Sequence, residues 1–237
     1  EWGHDFRPSY RNITQIKEHF QNINYIALTA TATKKVINDI EINLDLKEPK
    51  LFTKSYYKDN LAYQIFSVED KLTRLTQIFL KTRRPAIVYV NSRKKTIELS
   101  NFLNANGFKS SFYHGKLTTD QKKNAFDNWL KEETPIMIAT NAFGMGIDKS
   151  NVGVVIHFDT PDSIENYVQE AGRAGRDSKK SFAVLLKNNH DLEIYKKRFL
   201  KNIPTLSEIK KVHRKLYQNF EISNGELLDK SFPLNTY

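Results

Sequence analysis

The amino-acid sequence predicts an α/β fold in which a parallel sheet is covered by helices on both faces. Short runs rich in Ile, Val and Ala recur along the chain, and helical segments of about 10 to 15 residues separate them. Runs of this composition indicate strands buried on both faces, as happens when helices cross back over the sheet. We therefore expect ligands near the carboxyl ends of the strands, where such folds bind them.

The predicted strands and helices alternate through the middle of the chain. The predicted strands are YQIFSV, AIVYV, SSFYH, IMIAT, VVIHFD and FAVLL. The predicted helices are DKLTRLTQIFLKT, RKKTIELSNFLNAN, TDQKKNAFDNWLKE and DSIENYVQEAG. Their expected ends are the N-caps Asn91 or Ser92, Thr118 with Gln121, and Asp162 or Ser163, and a stop at Gly107.

The segments on either side of this region differ in character, so we expect three parts, residues 1–58, 59–188 and 189–237. In the first part, NYIALTAT predicts a strand and KKVINDIEINL a helix, and another strand is expected near Leu51 to Tyr56. The last part is rich in Lys and Arg and predicts two helices separated by Pro204.

Composition narrows the classes of function. The chain has 37 Lys and Arg against 27 Asp and Glu, a formal charge of +10, which favours an anionic partner such as nucleic acid. It has no cysteine, which excludes disulfides and thiolate zinc sites within the chain. No apolar run reaches the roughly 20 residues that span a bilayer, and no signal peptide is visible. We expect no membrane partner and a cytoplasmic, bacterial-type protein associated with the nucleoid.

The stretch QEAGRAGRDS places two arginines, Arg173 and Arg176, three residues apart and beside the glycines Gly172 and Gly175. On a continuing helix the two side chains share a face and could enter one cleft. An arginine brought to a γ-phosphate accelerates phosphoryl transfer by about 10³–10⁵-fold. A solvated basic helix end, favoured by the helix dipole, is the alternative, but such an end does not require small flanking residues.

The stretch ATNAFGMGIDKSNV follows a predicted strand and combines glycines with an acidic residue. Gly144 and Gly146 allow a close backbone approach to a ligand, and Asp148 can hold a hydroxyl such as that of a ribose. An ordinary strand-to-loop turn is the alternative. The chain contains neither a P-loop nor a dinucleotide-binding fingerprint. The spacing of residues also suggests no metal cluster, nucleophile–base pair or paired-carboxylate site.

Candidate nucleic-acid contacts fall in three places. The stretch EWGHDFRPSY interleaves aromatic and cationic side chains, which suit base stacking and phosphate pairing, although a hydrophobic plug at a domain edge is the alternative. Asn91, Ser92 and Arg93 begin a predicted helix, where anions bind favourably, and an ordinary N-cap explains Ser92 equally well. A lone histidine such as His114 in YHGK is more typical of a structural residue than of a catalyst.

Taken together and in order, these segments resemble the RecQ family of superfamily 2 DNA helicases from Glu1 to about Leu186. WGHDFRP resembles the aromatic-rich loop of the family, LTATAT resembles motif III and IVYVNSR motif IV. IMIATNAFGMGIDKSNV resembles motif V, and YVQEAGRAGRD resembles motif VI. The last motif differs from the H-R-x-G-R-x-x-R form of DEAD-box RNA helicases.

The resemblance implies that ATP binds between two RecA-like domains, with Mg²⁺ held mainly by the upstream one. On this basis residues 1–58 end the first RecA-like domain, residues 59–188 form the second, and residues 189–237 begin the helical region that follows. The residues implied for ATP hydrolysis are Arg173, Arg176 and Gln169; for nucleotide binding, Gly146, Asp148 and Gly172; and for coupling, Thr29, Ala30 and Thr31.

The resemblance also implies 3′-to-5′ movement on single-stranded DNA and unwinding at duplex junctions, in repair or recombination. The residues implied for DNA contact are Trp2, His4, Phe6, Arg7, Asn91, Ser92, Arg93, His114 and Thr140.

Two features of the family are missing from the chain. The P-loop and the DEAH box are absent, so we expect a fragment that needs an upstream domain and hydrolyses no ATP alone. Cysteine is also absent, so no zinc is expected here. The alternatives are a non-catalytic nucleic-acid-binding module with a helicase-like fold, and an RNA helicase, which the form of motif VI disfavours.

Overall fold

The computed structural model describes residues 13, 24–29, 32–55, 57–144, 147–200 and 203–220, leaving aside the side chains of 198–200 and 219–220. The chain divides between Lys187 and Asn188 into two compact units. Helix α1 spans Lys34–Asn43 in the first unit. The elements that follow are β1 Leu61–Ser67, α2 Lys71–Lys81, β2 Ala86–Tyr89, α3 Arg93–Ala105, β3 Ser110–Tyr113, α4 Thr119–Leu130, β4 Ile136–Ala139, β5 Val154–His157, α5 Ile164–Ala171 and β6 Ser181–Lys187.

The strands form one six-stranded sheet in the order β1-β6-β5-β2-β4-β3, and every neighbouring pair is parallel. The four central strands are apolar because both of their faces are covered. Helices α2 and α3 pack on one face, through side chains such as Leu75 and Leu103. Trp129 of α4 and Ala171 of α5 belong to the core on the other face. The α/β fold expected from the sequence is confirmed.

The helix ends follow the predicted capping chemistry. Ser92 is the N-cap of α3 and Ser163 that of α5, so the alternatives Asn91 and Asp162 do not cap. Thr118 and Gln121 form a capping box at the start of α4. Helix α3 ends before Gly107, whose φ of +82° is the left-handed conformation that stops a helix.

Two predicted strands in the first part of the chain are wrong. Residues 24–29 and 51–55 form no strand, although their apolar composition resembles one. A strand needs a neighbour to satisfy its backbone groups, and the sheet of the described residues begins only at Leu61. Several apolar side chains here are therefore exposed, including Ile26 at 82%, Leu28 at 91% and Phe52 at 89%.

The second unit contains helices α6, Asn189–Leu200, and α7, Leu206–Phe220, on either side of Pro204, as predicted. Thr205 and Glu208 cap the start of α7 reciprocally, with the Thr205 amide 2.7 Å from the Glu208 carboxylate. In the described part of the chain, no helix combines the length and the hydropathy needed to cross a bilayer. The three-part division of the chain remains a prediction.

Candidate functional site

A cleft of about 1200 Å³ is lined on one side by residues from 27–60. On the other side it is lined by the loop after β4 and by the end of α5 with the residues that follow it. Its walls include Thr29, Lys58, Gln169, Gly172, Arg173 and Arg176. A second cavity of about 970 Å³, among residues 24–52, contains none of the predicted arginines. The first cavity is therefore the candidate site, and it is called the cleft below.

Both arginines lie in a turn after α5 rather than on a continuing helix, so the prediction of a shared helical face is wrong. Helix α5 ends at Ala171, and Gly172 caps it in a right-handed conformation. Gly175 then adopts a φ of +69°, which an α-helix cannot contain and which glycine reaches without strain. Residues 172–177, named the arginine turn here, place both side chains against Gly144, Ile147 and Asp148.

Arg173 is buried, with 7% of its surface exposed. Its guanidinium donates a hydrogen bond to the carbonyl of Gly144, with Nη1 and O 2.6 Å apart. A Cβ atom on Gly144 would lie 2.8 Å from the same guanidinium. The sequence predicted that Gly144 allows a close approach to its backbone. In the structure the approaching group is the guanidinium of Arg173.

Arg176 is more accessible and lies at the cleft. Its Nη1 donates to the carbonyl of Ile147 at 3.0 Å and to Oδ1 of Asp148 at 2.8 Å. The Asp148 side chain is 88% exposed and that of Arg176 is 35% exposed, so their ion pair is weak and readily exchanged for another anion. Asp148 and Arg176, which the sequence analysis assigned to the same nucleotide site, are therefore in contact.

Lys58 is a third cation in the cleft and was missed by the sequence analysis. Its Nζ donates to the carbonyl of Gly172 at 2.9 Å. Burial, and then the positive charge of Arg176, lower the pKa of the Lys58 ammonium. An anion bound in the cleft would offset both effects. Lys58 stands in an irregular segment of mixed charge, where no periodicity or motif marked it.

Gln169 and Gly172 line the cleft, as does Thr29 from the opposite wall, so three more predicted residues lie beside the arginines. Gln169 is exposed at the end of α5, whereas its neighbour Glu170 is turned inward. The remaining predicted residues of the nucleotide and coupling sets, Gly146, Ala30 and Thr31, lie outside the described residues.

A buried polar group lies beneath the arginine turn. Nε2 of His157, the last residue of β5, is 2.8 Å from Oε2 of Glu170. The His157 ring stacks on that of Tyr89, with centroids 5.6 Å apart, and the Tyr89 hydroxyl donates to the Phe143 carbonyl at 2.9 Å. Burial holds the pKa of the Tyr89 phenol well above its usual value, against the opposing charge of Arg173, so the phenol stays protonated.

The other end of the arginine turn is fixed at the amino ends of the strands. Gly175 donates its N–H to Val152, just before β5, and Asp177 donates to Ser150. Arg84, just before β2, forms an ion pair with Asp177, their side-chain atoms 2.5 Å apart. The arginine turn therefore runs from the carboxyl end of β5, where Glu170 contacts His157, to the amino ends of the strands.

The predicted nucleic-acid residues Asn91, Ser92 and Arg93 do lie at the carboxyl edge, after β2. Asn91 donates its backbone N–H to Asp159 at 2.9 Å and its side-chain amide to the Thr160 carbonyl at 2.9 Å. The Ser92 hydroxyl caps α3, which is the alternative given for it from the sequence, and Arg93 is exposed. Of the three, Arg93 has the side chain most available to a phosphate.

His114 and Thr140 follow the paired strands β3 and β4, so they also lie at the carboxyl edge. His114 is only 7% exposed and stacks on Phe112, with centroids 5.9 Å apart. Thr140 is half-buried, and its amide donates to the Tyr113 carbonyl at 3.2 Å. Burial makes His114 a poor direct contact for DNA. The other predicted contacts, Trp2, His4, Phe6 and Arg7, lie outside the described residues.

Residues 70–178 match the helicase conserved C-terminal domain family. The RecQ-like DNA helicase blm-1 of Caenorhabditis elegans is 36% identical over 90% of this chain and 22% of its own length. The ATP-dependent DNA helicase RecQ of Bacillus subtilis is 40% identical over 84% of the chain and 34% of its own length. The probable ATP-dependent DNA helicase RecS of B. subtilis is 34% identical over 97% of the chain and 47% of its own length. The chain thus spans less than half of these relatives.

Solved structures support the fold. Saccharomyces cerevisiae Dbp5, bound to RNA and ADP BeF₃, has a TM-score of 0.66 at 20% identity and covers 90% of this chain and 60% of its own. Its variant L327V, with the same ligands, has a TM-score of 0.67 at 19% identity. At these identities the likeness concerns the fold alone.

The sheet, the arginine turn and these matches define the class of the protein: it carries an α/β, RecA-like second domain of a helicase core. Within that class, relatives that are 34–40% identical over most of the chain support a RecQ-family helicase C-terminal region. The resemblance stated from the sequence motifs is confirmed.

Proposed function

We propose that this chain is part of the motor of an ATP-dependent DNA helicase of the RecQ type. The observation that carries the proposal is the convergence of Lys58, Arg173 and Arg176 at one cleft, whose lining also includes Lys54. A site that gathers this much positive charge suits a polyphosphate. The catalytic roles of Arg173, Arg176 and Gln169 remain part of this proposal.

Phosphoryl transfer is promoted mainly by positioning and by positive charge near the γ-phosphate. Arg176 is suited to supply that charge, because its partner Asp148 is exposed and easily displaced. Arg173 holds Gly144 and so fixes the loop beside the phosphates. Bound ATP would supply the phosphoryl group, and an upstream domain with a P-loop and DEAH box would supply most of its binding, including Mg²⁺. In the described residues no group of three ligating side chains offers a metal site.

DNA is the proposed polymer, and the carboxyl edge of the sheet is the proposed contact surface. The loops after β2, β3 and β4 are adjacent there, because these strands are neighbours in the sheet. The chain carries a net charge of +10, which supports binding to phosphates. We propose single-stranded DNA and duplex junctions as substrates, with 3′-to-5′ movement, in repair or recombination in the cytoplasm at the nucleoid.

The first RecA-like domain of the same protein is the proposed partner of residues 24–58. Ile26, Leu28 and Phe52 expose most of their surface, and α1 contains no buried residue. Apolar surface of this kind gains stability when another apolar surface covers it.

Unwinding by the full-length protein tests the proposal. Duplexes of DNA and of RNA, each with a 3′ or a 5′ single-stranded tail, would be incubated with ATP and strand release measured. The expected result is ATP-dependent release from 3′-tailed DNA, with 5′-tailed DNA unchanged. Preferential release from RNA would favour the RNA helicase alternative. Tight DNA binding with neither hydrolysis nor release would favour the non-catalytic module.

A further inference from the structure

The pair formed by His157 and Glu170 joins the sheet to the end of α5 through buried polar atoms. His157 is fully buried and Glu170 is 9% exposed. Nε2 of His157 and Oε2 of Glu170 are 2.8 Å apart, so one hydrogen bond joins the strand to the helix. Nδ1 of the same ring has no hydrogen-bond partner in the described part of the chain. The surrounding core cluster is largely apolar, and burying a polar group without full pairing is unfavourable, so this pair needs a specific reason.

Glu170 connects this pair directly to the arginine turn. Its side chain is bound to β5, while its backbone carbonyl accepts the N–H of Arg173 at 3.1 Å. The carboxylate therefore fixes the rotation of the last turn of α5 about the helix axis, and the carbonyl fixes the first residue that follows. Buried Ala171 and the Tyr167 ring, whose centroid is 4.8 Å from that of His157, pack the same helix on the sheet, and Glu170 adds the polar contact at its last turn.

The same pair is coupled to the loop that faces the arginines. His157 and Tyr89 are register partners on β5 and β2, and their rings stack. The hydroxyl of Tyr89 binds the carbonyl of Phe143, and Arg173 binds the carbonyl of the next residue, Gly144. The His157–Glu170 pair is thus linked to both partners of the Arg173 guanidinium. Glu170 connects it to the arginine turn, and Tyr89 connects it to the loop of Phe143 and Gly144.

We propose that His157 and Glu170 are positioning residues that orient the arginine turn, so that Arg176 faces the cleft when ATP is hydrolysed. The pair contacts neither cleft nor ligand and acts through the backbone of the turn. Its effect on hydrolysis rests on the proposed function, whereas its effect on the turn does not.

The first test is ATP hydrolysis by the full-length protein at saturating single-stranded DNA. Glu170→Ala should lower kcat by about 10- to 100-fold and leave KM for ATP within about twofold, since small displacements of a catalytic group cost rates of this order. Glu170→Gln, which keeps a hydrogen-bond acceptor near His157, should recover most of the loss. Ser100→Ala, which breaks a buried Ser100–Ser110 contact of 3.0 Å between α3 and β3, is the matched control and should leave kcat unchanged.

A double-mutant cycle separates positioning from general stability. In an Arg176→Ala background, Glu170→Ala should cause no further loss of kcat, because the group it positions is gone. An equal fold-loss in both backgrounds would overturn the proposal while leaving the proposed function intact. No ATP hydrolysis by the unmodified full-length protein would instead overturn the proposed function.

Amide hydrogen exchange tests whether the pair positions the arginine turn, and it requires no measurement of ATP hydrolysis. Glu170→Ala and His157→Ala should each speed exchange of the amides of residues 173–177 about tenfold or more. Ser100→Ala should not affect these amides, and strand β2 should stay protected in all variants, which shows that the variants fold. Unchanged exchange in residues 173–177 for both variants would overturn the inference.

Discussion

Three of the cationic side chains that line the cleft are held by backbone carbonyls. Lys58 donates to Gly172, Arg173 to Gly144 and Arg176 to Ile147. Carbonyls orient these groups without neutralising their charge, and the one carboxylate partner described here, Asp148 on Arg176, is exposed, so the cleft retains positive charge for an anion. The lowered pKa of Lys58 reflects its burial and the neighbouring charge of Arg176.

Replacing Lys58 tests whether this potential serves the nucleotide. We expect Lys58→Ala in the full-length protein to raise KM for ATP about tenfold, the effect of losing one hydrogen bond to a charged group. Steady-state hydrolysis at saturating DNA measures it. Lys109→Ala removes an equally positive but exposed side chain and should leave KM unchanged. Equal values of KM for the unmodified protein and Lys58→Ala would show that Lys58 does not act on the nucleotide.

Elements of secondary structure explain why the arginines lie where they do. Glu170, near the end of helix α5, still contacts His157 at the carboxyl end of β5, and residues 172–177 then carry the chain to the amino ends of the strands. The arginine turn then reverses direction through Gly175, with a φ of +69°, and Ser178 adopts a left-handed φ of 62° close behind it. The Asn60 side chain donates to the Gly175 carbonyl at 2.7 Å and closes the turn.

Gly175→Ala should destabilise the protein more than Gly107→Ala, although both glycines have a left-handed backbone conformation. A Cβ on Gly175 would lie 2.6 Å from the Asn60 amide and 3.1 Å from Ser181, whereas one on Gly107 meets nothing within 4 Å. Both positions incur the backbone cost of a left-handed alanine, about 1 kcal/mol. We expect about 1 kcal/mol for Gly107→Ala and about 2–3 kcal/mol for Gly175→Ala, the excess arising from overpacking.

Chemical unfolding of the two variants measures this difference. Gly107→Ala is the matched control, since it shares the left-handed backbone and lacks the close contacts. Equal free energies of unfolding would mean that the arginine turn tolerates a side chain at Gly175 and is less tightly packed than described.

Sequence reasoning succeeded where local chemistry decides the structure. The alternating elements of the sheet region, the cap Thr118 and the stop at Gly107 were predicted, and Ser92 and Ser163 were each one of two predicted alternatives, because caps and left-handed glycines depend on residues close in sequence. The motifs also located Arg173 and Arg176. The sequence could not give the shape of the turn that carries them, because the contacts that hold Gly175 and Asp177 come from Asn60, Val152 and Arg84, far away in sequence.

Lys58, His157 and Glu170 were not predicted either, because their contacts also join residues that are far apart in sequence. Lys58 becomes a site residue only through Gly172, which is 114 positions away in sequence. His157 and Glu170 sit in an apolar strand and an amphipathic helix, where each resembles an ordinary interruption of the pattern. Their pairing depends on α5 packing over β5, which no local spacing reveals.

Across the molecule, the proposed wall of a nucleotide site and the proposed edge of a nucleic-acid surface lie on the same sheet. The arginine turn begins beside the carboxyl end of β5 and ends near the amino ends of the strands, and the proposed DNA contacts lie at the carboxyl edge. Helix α5 and the loop after β4 link these two regions. The exposed apolar side chains of residues 24–58 complete the proposed arrangement as the surface for the remaining domain.

The central claim is that Arg176 supplies positive charge to the transferring phosphate. Single-turnover ATP hydrolysis by the full-length protein, with saturating DNA, tests it most directly. The account predicts that Arg176→Ala lowers the rate about 10³-fold or more while DNA affinity stays within about twofold, and that Arg176→Lys recovers little, because lysine lacks the guanidinium geometry. Arg83→Ala, at an exposed arginine, should match the unmodified protein. An Arg176→Ala protein that hydrolyses ATP at the unmodified rate would contradict the account.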